Sequence, residues 1–447
     1  MLERLCTRLT TSMRQLADSR AEEVAFTRFF RNPNVTVQEM LNTAALATAE
    51  AAAGRHVLIV EDTSEINYQA KSQRKRGLGK VGNGTDIGLF VHPALALDAA
   101  DGSILGLAGA TIWRRRTAKQ ANYQALPIEA KESNRWLSTA KMACQALAAT
   151  ARLCTVIADR EADIYELLAR VPDKRTHLLV RAHHDRGLII KTEDGRSKTK
   201  GRLFATIAGF SEAGRLCFDM LARPGRPARR VNLAVRFGEV TLRQPKPGAD
   251  KRDPREITIN VVEAREIDPP SPKEAVVWRL LTTHALTSLT DAARMIELYR
   301  WRWTIEQVFR TVKSQGLDLE ESLLADGDAL ERLAAAALVA AVQAMQLVHA
   351  RGEAGHNLPA ARLFGPTEIT VLQALITKLE GKTEKQKNPH PKLSLAWAAW
   401  PIARLGGWNG YARERPPGPI TFVRGLERFH AILDGFSLAS NVHAWLQ

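Results

Sequence analysis

A chain of 447 residues, 45% hydrophobic and 25% charged, has the make-up of an ordinary globular protein and length for about two to four domains. Its 63 Lys+Arg against 48 Asp+Glu give a formal charge of +15 and a sequence pI near 9.9, so a polyanionic partner is expected. Cys6, Cys144, Cys154 and Cys217 show no CxxC spacing, which argues against a zinc ribbon or a disulfide framework. The N-terminus carries charges where a signal peptide needs an apolar run, and stretches such as Leu333 to Val348 read as too short to span a bilayer. A reduced, cytoplasmic protein with no membrane partner is the expectation.

Residues 1–40 read as short basic helices ending in FTRFFRNPNVTVQEM, where Asn32-Pro33-Asn34 is turn chemistry. From His56 the run VLIVEDTSE is a buried strand that stops at carboxylates, Asp62 among them. Phe90 to Leu97 and Ile104 to Trp113, separated by the Asp101-Gly102 turn, complete a three-stranded meander. A helix over Ser133 to Ala151 follows, then LCTVIADREADIYELLAR, in which a second apolar strand delivers Asp159 and a helix begins at once. His177 to Ala182 is the fifth strand. That order is the order of a ribonuclease-H-like α/β core.

Between about 184 and 283 the pattern changes to short strands and basic turns, read as an inserted antiparallel β subdomain. Arg223, Arg226, Arg229 and Arg230 are more than edge-strand protection requires and point to a DNA-facing loop, although a plain solvated sheet has the same make-up. Later helices are expected at Ala329 to Ala350, Ser394 to Leu405 and Phe422 to Phe436. The boundaries are therefore a helical DNA-binding region at 1–40, a catalytic domain at 41–350 containing the insertion, and a helical C-terminal region at 351–447.

The stretch Glu297 to Lys313, ELYRWRWTIEQVFRTVK, is the densest in information. Read as one helix at about 100° per residue, it places Tyr299, Arg302, Glu306 and Lys313 within an arc of roughly 60°, beside an apolar arc of Leu298, Ile305, Val308, Phe309 and Val312. Arg302 and Glu306 alone would be an ordinary solvated i, i+4 pair. Likewise, Asp62 and Asp159 taken singly are as compatible with surface strand ends as with ligands.

The spacing of Tyr299, Arg302, Glu306 and Lys313, with VEDTSE around Asp62 and ADREADIY around Asp159, resembles the Y-R-E-K subgroup of the IS-four family of DDE transposases. The resemblance runs from about Phe26 to Phe436. It implies that Asp62, Asp159 and Glu306 bind two Mg²⁺ (or Mn²⁺) ions per active site. With two metals, one activates the attacking water or 3′-hydroxyl and the other stabilises the leaving oxygen. Arg302, Lys313 and Tyr299 would meet DNA phosphates, Thr63, Arg160 and Glu161 would order the ligands, and Asp163 reads as a first-turn residue.

The resemblance further implies cut-and-paste transposition through a nick, a hairpin and strand transfer. The partners implied are double-stranded DNA, as transposon inverted-repeat ends and target, and a second copy of the chain, with IARLGGW and LDGF resembling a dimerisation region. Trp278 matches a tryptophan that receives a flipped base, against the plainer reading of a packed strand residue, and Trp303 is a second candidate. Arg181 matches a DNA-contacting position, with His183 where the family has lysine. Arg28 and Arg31 would contact phosphates of the transposon end. Relative to the family pattern the chain begins late. An end-binding-deficient form that dimerises with and inhibits a longer one is therefore an alternative, as is a nuclease that cuts without joining.

Overall fold

The computed structural model describes residues 1–115, 123–191, 198–220, 227–245, 250–411 and 414–445. In chain order the elements begin with α1 (Leu2–Arg8), α2 (Met13–Leu16), α3 (Arg20–Arg31), α4 (Val37–Ala51), β1 (His56–Glu61), β2 (Ser64–Asn67), β3 (Gly79–Val81), β4 (Asp86–Asp98) and β5 (Ile104–Trp113). Next come α5 (Asn134–Leu147), β6 (Leu153–Ala158), α6 (Tyr165–Arg170), β7 (Thr176–Arg181), β8 (Gly187–Lys191), β9 (Lys198–Arg202), α7 (Leu203–Ala208), β10 (Gly214–Met220), β11 (Arg229–Arg243), β12 (Glu256–Glu266) and β13 (Val277–Thr282). The chain closes with α8 (Leu289–Arg300), α9 (Thr304–Lys313), α10 (Gly327–His349), α11 (Pro366–Leu379), α12 (Leu395–Leu405) and α13 (Pro419–Trp445). This is a mixed α/β protein, compatible with a ribonuclease-H-like core.

The elements fall into two compact units, one of Ala52–Asp62 and Thr117–Trp303, the other of Met1–Ala51, Thr63–Arg116 and Thr304–Gln447. In the first, β1, β6 and β7 run parallel, with Val60 opposite Ile157 and Ala158 opposite Val180. Their HVLIVE and LCTVIA runs are apolar on both faces because parallel strands are covered on both sides. The sheet continues antiparallel through β13, β12 and β11 to β8 and β9, with β10 also on β11. The strands of the 184–283 region thus extend the edge of β7 within one sheet.

In the second unit, β2, β3 and β5 all pair antiparallel with β4, and the β4–β5 turn passes through Gly102 at positive φ, as Asp101-Gly102 predicts. The short strands β2 and β3 are not visible in the periodicity, being four and three residues long. Gly106 of β5 is required by a close approach, since a Cβ there would lie 2.2 Å from the Thr48 hydroxyl of α4. The core helix is α10. By length and composition it could span a bilayer, contrary to the expectation from Leu333 to Val348, but 83% of its apolar stretch is buried inside the fold. Its alanines admit β5, α1, α4, α9 and α13 at short range, and its one interior amide, Gln346, donates to the carbonyls of Ile104 and Leu105.

Candidate active site

Asp62 and Asp159 are brought together by strand register. Val60 pairs with Ile157, so two residues further along each strand the two aspartates emerge at the same end of neighbouring parallel strands. Carboxyl ends of such strands are where α/β sheets hold ligands. Asp159 caps a 3₁₀ turn, Arg160–Ala162, accepting the Glu161 amide at 2.9 Å. Asp62 accepts Arg302 Nη1 at 2.8 Å, with the guanidinium only 9% exposed and the carboxylate 20%.

Arg302 belongs to a chain of polar groups. It hydrogen-bonds to the Tyr299 phenol, which also meets Arg181, and the charge of Asp159 acts on both Tyr299 and Arg181. Burial pushes the Tyr299 phenol up against the pull of Arg302 and Arg181, and burial pushes the Arg181 guanidinium down. Of the Tyr-Arg-Glu-Lys signature, Arg302 is therefore bonded to one strand-end aspartate, and Tyr299, bonded to Arg302, lies within the field of the other.

The continuous signature helix is a correction. α8 ends at Arg300, Trp301–Trp303 form a 3₁₀ turn, and α9 starts at Thr304. The Trp301 amide shares the carbonyls of Leu298 and Tyr299, which tightens the helix just where Arg302 is buried onto Asp62. Glu306 stands half-buried in the first turn of α9, where a helix N-terminus favours a carboxylate. Lys313, in the last turn, donates to the Glu65 carbonyl at 2.9 Å and pairs with Glu320 at 3.3 Å. Glu306 and Lys313 lie in the second unit, with Thr63, whose hydroxyl meets His92 at 2.9 Å.

The other expected DNA contacts are distributed. Trp278 of β13 is half-buried, stacked on Phe218 at 5.8 Å and edge-on to Tyr299 at 6.2 Å, while Trp303 is 40% exposed with Arg302 over its ring. Arg28 and Arg31 are exposed on α3. Arg226 lies outside the described residues. Arg229 and Arg230 open β11 instead of sitting in a loop, with Arg229 paired to the buried Glu266 and Arg230 donating to Cys217. Asp163 is no first-turn residue: it lies between the 3₁₀ turn and α6, fully buried against Arg186.

Sequence reading missed a cationic cavity of about 240 Å³ beside Arg181, lined by Arg160, His183, Arg279, Phe204 and Val277. The signal was dispersed over four segments. Arg279 is oriented by Glu263 at 2.7 Å, which also binds Arg265 at 3.1 Å. Burial raises the Glu263 carboxyl, but the hydrogen bonds from Arg265 and Arg279 outweigh it and hold it below its ordinary 4.5. A depressed carboxylate contributes stability that is complete above 4.5 and is lost as pH falls through the folded-state value. Thermal melts between about pH 3 and 6 are therefore expected to fall more steeply for the wild type than for Glu263→Gln, and parallel curves would contradict this.

Two hard carboxylate donors on adjacent strand ends suit a divalent cation such as Mg²⁺, and Arg302 already supplies positive charge at Asp62. Among the described residues no group of three or more His, Cys, Asp or Glu side chains is arranged to hold a metal ion. Residues 126–342 match the family model of the transposase DDE domain, a segment that includes Asp159 and Glu306 and begins after Asp62, and this match supports a DDE transposase.

Proposed function

We propose that the chain is a cut-and-paste transposase of the IS-four type, in which Asp62, Asp159 and Glu306 hold Mg²⁺ against a DNA phosphate. The observation that carries this reading is the pairing of Asp62 and Asp159 on neighbouring parallel strand ends, with Arg302, Tyr299 and Arg181 beside them. Glu306 joins them on the sequence pattern and on its place within the matched segment. Bound Mg²⁺ supplies an activated oxygen nucleophile and stabilises the leaving 3′ oxygen.

The chain's own residues do the rest. Arg302 steadies Asp62 and, with Tyr299, offers hydrogen bonds to phosphate oxygens next to the scissile one. Arg160, Arg181 and Arg279 give the neighbouring cavity a charge that fits a flanking phosphate. Trp278 and Trp303 present rings on which an extruded base can stack during hairpin formation. Lys313, Arg28, Arg31, Arg226, Arg229 and Arg230 remain proposed backbone contacts, and Arg229 is the weakest of them because its guanidinium already serves Glu266. Inverted-repeat ends, target DNA and a second copy of the chain are the partners of this reading.

Replacing Arg160 by Ala tests the phosphate cavity. DNA affinity is expected to fall and the slope of log affinity against log salt to drop by about one unit. An unchanged slope would remove the cavity from the DNA path. The function itself is tested by incubating the chain with Mg²⁺ and a duplex carrying the flanking inverted repeat. Nicked, hairpin and joined products are expected, and none should form with Glu306→Ala.

A further inference from the structure

Away from the aspartates, two of the four cysteines meet. Cys144 of α5 and Cys154 of β6 hydrogen-bond thiol to thiol, and Cys144 also reaches the hydroxyl of Thr176, the register partner of Cys154 on β7. They line a common cavity of about 130 Å³ with Gln145, Asp173 and Arg175. Cys154 is buried and Cys144 half-buried, so a reagent reaches them through that cavity. The other two cysteines are elsewhere, Cys6 bonded to Gln343 on α10 and Cys217 exposed beside Arg230.

We propose that Cys144 and Cys154 form a dithiol–disulfide redox site, oxidised by a low-molecular-weight disulfide that enters this cavity. The Cys154 thiolate attacks one sulfur of RS–SR, forming a mixed disulfide and expelling RS⁻, which takes up the proton. The Cys144 thiolate then attacks the Cys154 sulfur, closing the protein disulfide and expelling the second RS⁻. The protein loses two electrons and two protons, and the reagent leaves as two RSH.

The order of events follows from the surroundings. The hydrogen bond from Cys144, aided by the positive field of Arg175, holds the Cys154 thiol below its ordinary range against the effect of burial. The hydrogen bond to Cys154 and burial push Cys144 up. The thiolate is the attacking species, and Arg175, which lines the same cavity, favours that form on Cys154. Closure ties α5 to the strand that carries Asp159 five residues beyond Cys154. In reducing compartments such bonds are transient and redox-sensing, which suits a pair reached through a surface cavity.

The test uses the full chain in a Cys6→Ser/Cys217→Ser background, reduced and then incubated with oxidised glutathione. The thiol titre is expected to fall from two to zero with no glutathione retained, and non-reducing peptide mapping should give a Cys144–Cys154 cross-linked peptide that reductant abolishes. In the otherwise wild-type chain, glutathione on Cys217 without that cross-link would overturn the proposal. Adding Cys144→Ser should leave a stable glutathione adduct on Cys154. An unmodified Cys154 in that folded variant would overturn its role as the attacking thiol.

Discussion

Asp159→Asn is expected to leave the fold intact and to reduce Mg²⁺-dependent DNA nicking by at least about a thousandfold, each metal-holding carboxylate being worth several kcal/mol at about 1.4 kcal/mol per factor of ten. The substitution separates two roles of one side chain. As the cap of the Arg160–Ala162 turn, Asp159 accepts the Glu161 amide, and an asparagine oxygen does that equally well. In the proposed role of metal ligand it must carry charge, which asparagine lacks. DNA binding should persist, because the cations of the neighbouring cavity are untouched. Asp62→Asn should give the same loss of nicking, with the further consequence that Arg302 no longer faces a carboxylate. A nicking assay alongside a filter-binding measurement checks both, and nicking within tenfold of wild type in Asp159→Asn would remove that residue from catalysis.

Asp163→Ala is expected to cost about 3–5 kcal/mol of stability, the effect of leaving one partner of a buried ion pair alone. Its carboxylate has no exposed surface, accepts Arg186 Nε at 2.7 Å and takes the amides of His183 and His184, each at 2.8 Å. Truncation therefore leaves a guanidinium that is 8% exposed without its carboxylate, bonded still to the residue's own carbonyl, and orphans two backbone donors at the exit from β7. Urea unfolding of the two proteins measures the difference. Replacing both partners, as Asp163→Leu with Arg186→Met, should recover only the ion-pair share of the loss, since apolar packing often substitutes for a buried pair but the amides of His183 and His184 stay without their acceptor. A cost below about 1 kcal/mol in the single variant would show that water satisfies the site.

The strand-end aspartates were legible because an apolar β-branched run that stops at a carboxylate leaves the chain few alternatives. Cys154–Ala158 and His177–Ala182 were read to within a residue or so of β6 and β7 for the same reason. The 3₁₀ turn at Trp301–Trp303 was not legible, since helical periodicity reads straight through a tightened turn. Arg302 stands out in the sequence pattern, but its bond to Asp62 spans 240 residues and has no local signature. The same holds for Asp163 with Arg186, whose burial depends on how β7 leaves the sheet, and for Cys144 with Cys154, which become neighbours only when α5 packs against the sheet. Strands within 184–283 were legible in the sequence, while their continuity with β7 depends on a pairing of β13 that no local pattern encodes.

The central claim is that these residues join DNA as well as cut it. The most direct measurement is one gel in which the purified chain, Mg²⁺ and a labelled inverted-repeat duplex are scored together for nicks, hairpins and strand-transfer products, with Asp62→Ala beside it. Strand-transfer products that require Mg²⁺ and vanish in Asp62→Ala are the predicted result. Metal-dependent cutting with no joined product at any time would contradict the transposase reading and make the chain a nuclease.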